Sequence, residues 1–402
     1  MDCRICGAGT RLLLDLGSMP PANWLVERAD SQEQLFPLSL KVCETCSNLQ
    51  LPVCLGADIL YSHYFYVTPD SRMLERHYDW LIEFLFDKGY VDRGSSILEI
   101  GSNRGAFLKR LMPLVSSALG VDPAQNVVEM AMEGGIPTVC DFFDAASASR
   151  IESEFGKKSV IVARHCLAHN EWPQRMLQGV DALLSSDGIF VIENNYAGKM
   201  IEDVEFDQIY HEHMFYYSLS SLDAMLRRNG LRVIDVDLRD IHGGSIVCVA
   251  AREGSSWETA TAVDAFARRE EVLLNAASLE TFVRRVNELR WHLRSTIDSI
   301  RARGKTISAY GATAKAATLL NACKLTARDI PFCADSTAIK QGRFIPGTGI
   351  AIVAEQELLK TPPDYFLLTA WNYKDELIDK VRAAGGSEVG FIVPFPEVAV
   401  IE

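Results

Sequence analysis

The sequence predicts an α/β fold in three parts, on three observations. Two Cys-x-x-Cys pairs stand at Cys3/Cys6 and Cys43/Cys46, in a stretch of short turns with little periodicity. Short apolar runs alternate with amphipathic stretches from about residue 71 to 252, as expected when helices cover both faces of a parallel sheet. A strand, a glycine turn and a helix start occur at 97–107 and again at 307–315. The expected division is a small module over 1–70, a Rossmann-like domain over 71–252 and a second α/β Rossmann-like domain over 253–402.

A chain of 402 residues is long enough for two or three domains. Hydrophobic residues make up 48% and charged residues 23%, which suits a folded protein with more than one core. The net charge is −13, so a nucleic-acid binder is not expected. An anionic small substrate would need a local basic pocket. No segment has the length and apolarity of a membrane span, and Met1-Asp2-Cys3-Arg4 lacks the apolar run of a leader. No membrane partner is expected, and the cytoplasm is the expected location. Thiols stay reduced there, so the ten cysteines read as metal ligands plus core residues.

Cys3, Cys6, Cys43 and Cys46 have zinc-ligand spacing. Two intervening residues let both thiolates of a pair reach one tetrahedral ion, and four thiolates make a closed, structural site. Two redox pairs are the alternative, but neither sits in a strand–helix context of that kind. Cys54, Cys140, Cys166, Cys248, Cys323 and Cys333 stand singly and read mostly as core filler.

In the middle region, strands are expected over 96–100, 117–121, 159–163 and 188–193. Helices fall near 107–112, 125–133, 171–184 and 220–229. The runs 232–237 and 245–251 are close enough to form an antiparallel hairpin at the sheet edge. Five parallel strands plus such a pair is the layout of S-adenosylmethionine (SAM)-binding domains of the class I methyltransferase type.

The loop Glu99-Ile100-Gly101-Ser102-Asn103-Arg104-Gly105 supports that reading. Gly101 and Gly105 remove side chains where a ligand would approach the backbone. Their spacing differs from that of dinucleotide and Walker loops. The next strand ends at Asp122, whose carboxylate suits the ribose hydroxyls. Asp141 could accept the adenine amino group, with Phe142 against the ring. A cofactor-free α/β turn is the plainer alternative.

Polar residues then crowd the strand ends: His165 and His169, then Glu193, Asn195 and Tyr196. Asp207-Gln208-Ile209-Tyr210-His211-Glu212-His213 and His242-Gly243-Gly244 follow. All should project from one carboxyl edge, facing the methyl donor. Imidazoles beside carboxylates and phenols suit proton removal and oxyanion stabilisation. The helical His-Glu-x-x-His metal spacing is absent, though His165 and His169 keep a metal open. Satisfied structural histidines are the other alternative.

Residues 262–303 read as a long helical pattern broken near 276–278. Strands are expected over 306–310, 330–334, 365–369 and 389–393. The turn Tyr310-Gly311-Ala312-Thr313-Ala314-Lys315 opens a helix, whose free amides attract phosphate, and Lys315 adds charge. With Lys340 and Arg343 it forms a candidate basic pocket.

On these residues the chain resembles the three-domain sugar C-methyltransferases. The resemblance covers nearly the whole chain. It rests on the four cysteines, Glu99-Ile100-Gly101, Phe206-Asp207-Gln208-Ile209-Tyr210-x-Glu212-His213, His242-Gly243-Gly244, Tyr310–Lys315 and Ala370-Trp371-Asn372. It implies SAM-dependent methylation of carbon 3 of a nucleotide-linked 4-keto-6-deoxy sugar through an enolate. It makes His213 the leading candidate for the base, with Tyr210, Glu212 and His169 around it and His169 or Tyr210 as the alternatives. The C-terminal domain would hold the nucleotide, and Asn195, Tyr196 and His242 are further candidate substrate contacts. Arg104 departs from the acidic residue of many relatives. An O- or N-methyltransferase, or a nucleotide-sugar-binding protein with a decayed methyltransferase domain, remain the alternatives.

Overall fold

The computed structural model describes residues 2–60 and 71–402; the expected end of the first module, residue 70, lies outside them. The described chain forms three sheets.

The first sheet is antiparallel, from β1 (Thr10–Met19), β2 (Phe36–Cys43) and β3 (Leu49–Gln50). Its regularity was not visible in the sequence. Register shifts at Leu12/Leu14 and Asp15/Ser18 interrupt the inside–outside alternation that marks a strand. Thr10 pairs with Cys43, so the turn after β2 returns Cys43 and Cys46 to the chain that carries Cys3 and Cys6.

The central sheet holds five parallel strands: β4 (Ser96–Ile100), β5 (Ser117–Asp122), β6 (Thr138–Cys140), β7 (Lys158–Arg164) and β8 (Leu184–Asn195). β9 (Phe215–Tyr216) leaves this domain and closes the first sheet beside β3. The N-terminal module is therefore completed by a central segment. β10 (Leu231–Arg239) and β11 (Ser245–Arg252) form the expected antiparallel pair, with β11 against β8. The order is β10-β11-β8-β7-β4-β5-β6. β4 lies between β5 and β7, so connections leave it in both directions, and a crevice opens at its carboxyl end.

The C-terminal sheet repeats this logic. β12 (Ile307–Tyr310) lies between β13 (Phe332–Asp335) and β15 (Tyr365–Leu368), with β14 (Ala351–Ala354) and β16 (Gly390–Val393) outside them. β17 (Ala399–Ile401) adds an antiparallel edge. β14 and β17 escaped the sequence reading because both are short edge strands, one partly covered and one exposed.

The long helical pattern is two helices, Thr261–Leu273 and Ala276–Ala302. They part just before the expected break, where the Asn275 side chain accepts the Ser278 amide and caps the second helix. Leu279, Phe282, Val286, Leu289, Leu293, Ile297 and Ile300 make one buried stripe at three- and four-residue spacing. That stripe shares a core with Leu38 and Leu40 of β2 and Leu367 of β15. The first helix instead packs Val263, Phe266 and Leu273 against the central core, so it serves the middle domain.

Candidate active site

The four cysteines come together as expected. Their sulfurs all lie within 4.8 Å of one another, with Cys3 and Cys46 3.6 Å apart and Cys6 and Cys43 3.4 Å apart. The Asn48 amide faces the Cys3 sulfur at 3.8 Å. A hydrogen bond from Cys46 holds the Cys3 thiol down at about 5, against burial. Four soft donors in a closed cage fit a tetrahedral zinc. Among the described residues this is the one group that could hold a metal ion.

A cleft of about 1250 Å³ runs from the carboxyl end of β4 to that of β12. The central loop supplies Gly101, Ser102, Asn103 and Arg104, followed by Asp122, Asp141 and Phe142. One oxygen of Asp122 accepts the Asn103 amide at 2.9 Å and the other accepts Ala124 at 3.0 Å. Burial raises the Asp122 carboxyl and these amides lower it. Asp141 is paired with Arg150, and Phe142 stands exposed at the rim. A cradle with a carboxylate and an open aromatic face fits an adenosine.

Two expected cofactor contacts are placed elsewhere. Glu99 is buried, holds Arg164 at 2.6 Å and is not among the cleft-lining residues. Its carboxylate balances the guanidinium, which lies over Tyr78 and Phe107. Gly105 also lies off the cleft; a Cβ there would come within 2.8 Å of Ile136. Gly101 does line the cleft, but its missing side chain makes room for Cys166, 2.8 Å from where a Cβ would stand. Close protein packing, as much as ligand approach, sets these glycines.

The histidines meet in the middle of the cleft. Tyr210 Oη lies 2.5 Å from His213 Nε2, and His213 Nδ1 lies 3.1 Å from the Gln208 carbonyl. A carbonyl only accepts, so Nδ1 carries the hydrogen and Nε2 receives the Tyr210 hydroxyl. Burial drives the His213 imidazole well below its ordinary range, helped by His169. The His169 ring stands edge-on at 4.9 Å; burial, then His165, lower it to about 4. Both rings are therefore neutral near pH 7.

Glu212 does not join this pair. It turns toward the N-terminal module, where it accepts from the backbone and side-chain amides of Asn23 at 3.2 and 2.8 Å. The Gln208 carbonyl, and not Glu212, faces His213 Nδ1. Adjacency in a tight turn sends successive side chains in different directions, which the sequence cannot reveal. Tyr196 is likewise buried away from the cleft, edge-on to Phe266.

Asn195 and His242 line the cleft with His165, whose ring meets His242 at 4.6 Å. His77 was not anticipated. It sits on the buried face of the helix Arg72–Asp87 and touches Glu193 at 2.5 Å. A histidine on the apolar face of an amphipathic helix was the available signal. Burial would raise Glu193, but His165 and His77 outweigh it and hold the carboxyl well below its usual range.

Lys315 reaches from the helix after β12 to the turn between β10 and β11. It donates to the His242 carbonyl at 2.9 Å and lies over the Trp371 ring. Burial lowers it, while Asp207 and Glu205 support its charge. Asp207 accepts the Trp371 indole at 2.7 Å, and burial lifts its carboxyl to about 6. Lys340 lines the cleft, donating to the Ala312 carbonyl at 2.9 Å beside Asp335. Arg343 is off the cleft and faces Glu27 at 3.8 Å, so the expected three-cation pocket is not assembled.

Fold and cleft together define a SAM-dependent methyltransferase. Three family models match in succession: a zinc binding domain over residues 3–61, a methyltransferase domain over 71–236 and a C-methyltransferase C-terminal domain over 240–396. C-methyltransferase NovU of Streptomyces niveus is 36% identical across 100% of this chain and 96% of its own length. Among solved structures, YcgJ of Bacillus subtilis is 16% identical, covering 44% of this chain and 100% of its own, with a TM-score of 0.34. Magnesium protoporphyrin IX methyltransferase from Synechocystis PCC 6803, with bound SAM, is 12% identical over 48% of this chain and 89% of its own, at a TM-score of 0.35. The chain belongs to the family of SAM-dependent C-methyltransferases that carry a zinc-binding domain and a dedicated C-terminal domain. No helix of the described residues is long and apolar enough to cross a membrane.

Proposed function

We propose that the protein methylates carbon 3 of a nucleotide-linked 4-keto-6-deoxy sugar through an enolate. The observation that carries this reading is the Tyr210–His213 pair, a neutral imidazole whose Nε2 faces a phenol inside the cleft. The ketone acidifies the neighbouring C–H bond. His213 Nε2 takes that proton, the C–H electrons form the carbon–carbon double bond, and the carbonyl π electrons move to oxygen. As Nε2 fills, the Tyr210 hydroxyl turns from it to the developing oxyanion, and His169 lines the same pocket. Bound SAM supplies the electrophilic methyl group. An O- or N-methyl acceptor attacks with its own lone pair, so it could use a base but would need no donor to an enolate oxygen.

Asp122 would hold the SAM ribose, Asp141 the adenine amino group, and Phe142 the ring face. The four cysteines would hold one structural zinc. The substrate nucleotide would lie toward β12, along the Gly311–Lys315 loop and Lys340, with Asn195 and His242 nearer the sugar. The test is mass spectrometry of a panel of nucleotide 4-keto-6-deoxyhexoses incubated with SAM. The expected result is one added methyl on carbon 3. Transfer to oxygen or nitrogen, or no transfer to any keto sugar, would overturn the reading.

A further inference from the structure

The backbone carbonyl that orients His213 belongs to Gln208, at the end of the short turn Phe206–Gln208. A single turn is a weak support for a catalytic ring, yet the Gln208 side chain is buried and bonded at both ends. Its Oε1 accepts from the Asn195 amide, and its Nε2 donates to Glu205 and, at 3.4 Å, to the His242 carbonyl. Asn195 is the last residue of β8 and pairs with Ser245 of β11, so the sheet fixes it.

Each link orients the next. Carbonyl oxygens only accept, so His242 fixes which end of both amides points inward. The Asn195 oxygen is then left facing His165 Nδ1 at 3.3 Å, and the other nitrogen of His165 faces Glu193. A continuous polar chain thus joins His77, Glu193, His165, Asn195 and Gln208 to the base.

Gly243 bears on the same point. Its φ is +94°, and a Cβ there would come within 2.6 Å of Gln208 Nε2 and 2.7 Å of Glu205 Oε2. The turn after His242 is shaped around the Gln208 amide.

We propose that Asn195 and Gln208 are positioning residues, which clamp the Gln208 carbonyl against His213 and keep the imidazole in the tautomer whose Nε2 can accept a proton. This rests on the reading of His213 as the base. It also gives Asn195 a role other than substrate contact, since its amide is already engaged by Gln208, His242 and His165.

Two variants break the clamp at defined bonds. Asn195→Asp keeps the shape and removes the donor to Gln208. Gln208→Met removes all three side-chain bonds and adds no charge, and decides the matter if the first variant does not fold. With keto-sugar nucleotide and S-adenosylhomocysteine in heavy water, deuterium entry at carbon 3 should fall by about tenfold or more, and the kcat for methylation with it. In Gln208→Met, whose side chain is off the cleft, substrate KM and SAM affinity should stay within about twofold. Nitrogen-15 spectra of histidine-labelled protein should show His213 leaving the pure Nδ1–H form. Wild-type exchange rates, or an unaltered His213 tautomer, in a folded variant would overturn the clamp. If the wild type itself neither exchanges nor methylates, the base assignment fails instead, and the tautomer spectra still decide the clamp.

Discussion

Tyr210 and His213 share one short hydrogen bond, 2.5 Å from phenol oxygen to Nε2, inside a cleft that both line. Two residues separate them in the chain, so one tight turn presents both groups to the same space. His213→Asn should abolish both carbon 3 exchange and methylation while SAM still binds. Tyr210→Phe should lower kcat by roughly 10²–10³, the scale of losing one oxyanion donor. Exchange at the wild-type rate in His213→Asn would remove it as the base.

The pH profile should show a base with a depressed pKa. Burial lowers His213, followed by His169, with Lys315 and His165 adding to it and the Gln208 carbonyl opposing. Tyr210 and the His169 ring face it directly. The active form is neutral, so a lowered pKa preserves activity as pH falls through 6.5 and loses it only further down. kcat/KM should stay level from about pH 8 to pH 6.5. A midpoint at or above 6.5 would mean that water reaches the ring.

Asp122→Ala should weaken SAM binding by about 1–3 kcal/mol, measured by calorimetry. Some of this loss would come through the loop, because Asp122 also accepts the Asn103 and Ala124 amides. An unchanged affinity would place the ribose elsewhere.

Purified protein should carry about one zinc per chain. Cys43→Ser should lower metal content and thermal stability together, because Cys43 also ends β2. Metal-free protein prepared without chelators, with an unchanged melting temperature, would count against a structural ion.

Lys315→Met should destabilise the fold by roughly 3 kcal/mol, since it removes a buried cation acted on by Asp207 and Glu205. Denaturant unfolding measures this. An unchanged midpoint would show that Lys315 is held for its ligand and not for the domain junction.

Much of the architecture was legible because its signals are local. Strand 96–100 is a short run in which Ile97, Leu98 and Ile100 are apolar, helix 125–133 has its periodic face, and the hairpin 231–252 has two runs a few residues apart. The cysteine spacing announced its own cage, because two residues between ligands already limit what the turn can do. The small pieces were less visible. β3, β9, β14 and β17 have two to four residues each, too few to show a period, and they exist because a neighbouring strand offers them a ladder.

By itself the sequence determined which chemistry was present: four thiols, a glycine loop before a carboxylate, and a crowd of histidines with a tyrosine among them. Only the tertiary structure decided which of these groups meet. It turned Glu212 to Asn23, Glu99 to Arg164 and Arg343 to Glu27, and it brought Gln208 and Asn195 in behind His213. The reason is physical. A motif fixes residue type and spacing along the chain, whereas a side chain's partner follows from burial, since a polar group removed from water must bond to whatever donor or acceptor the packed elements bring within 3 Å or so.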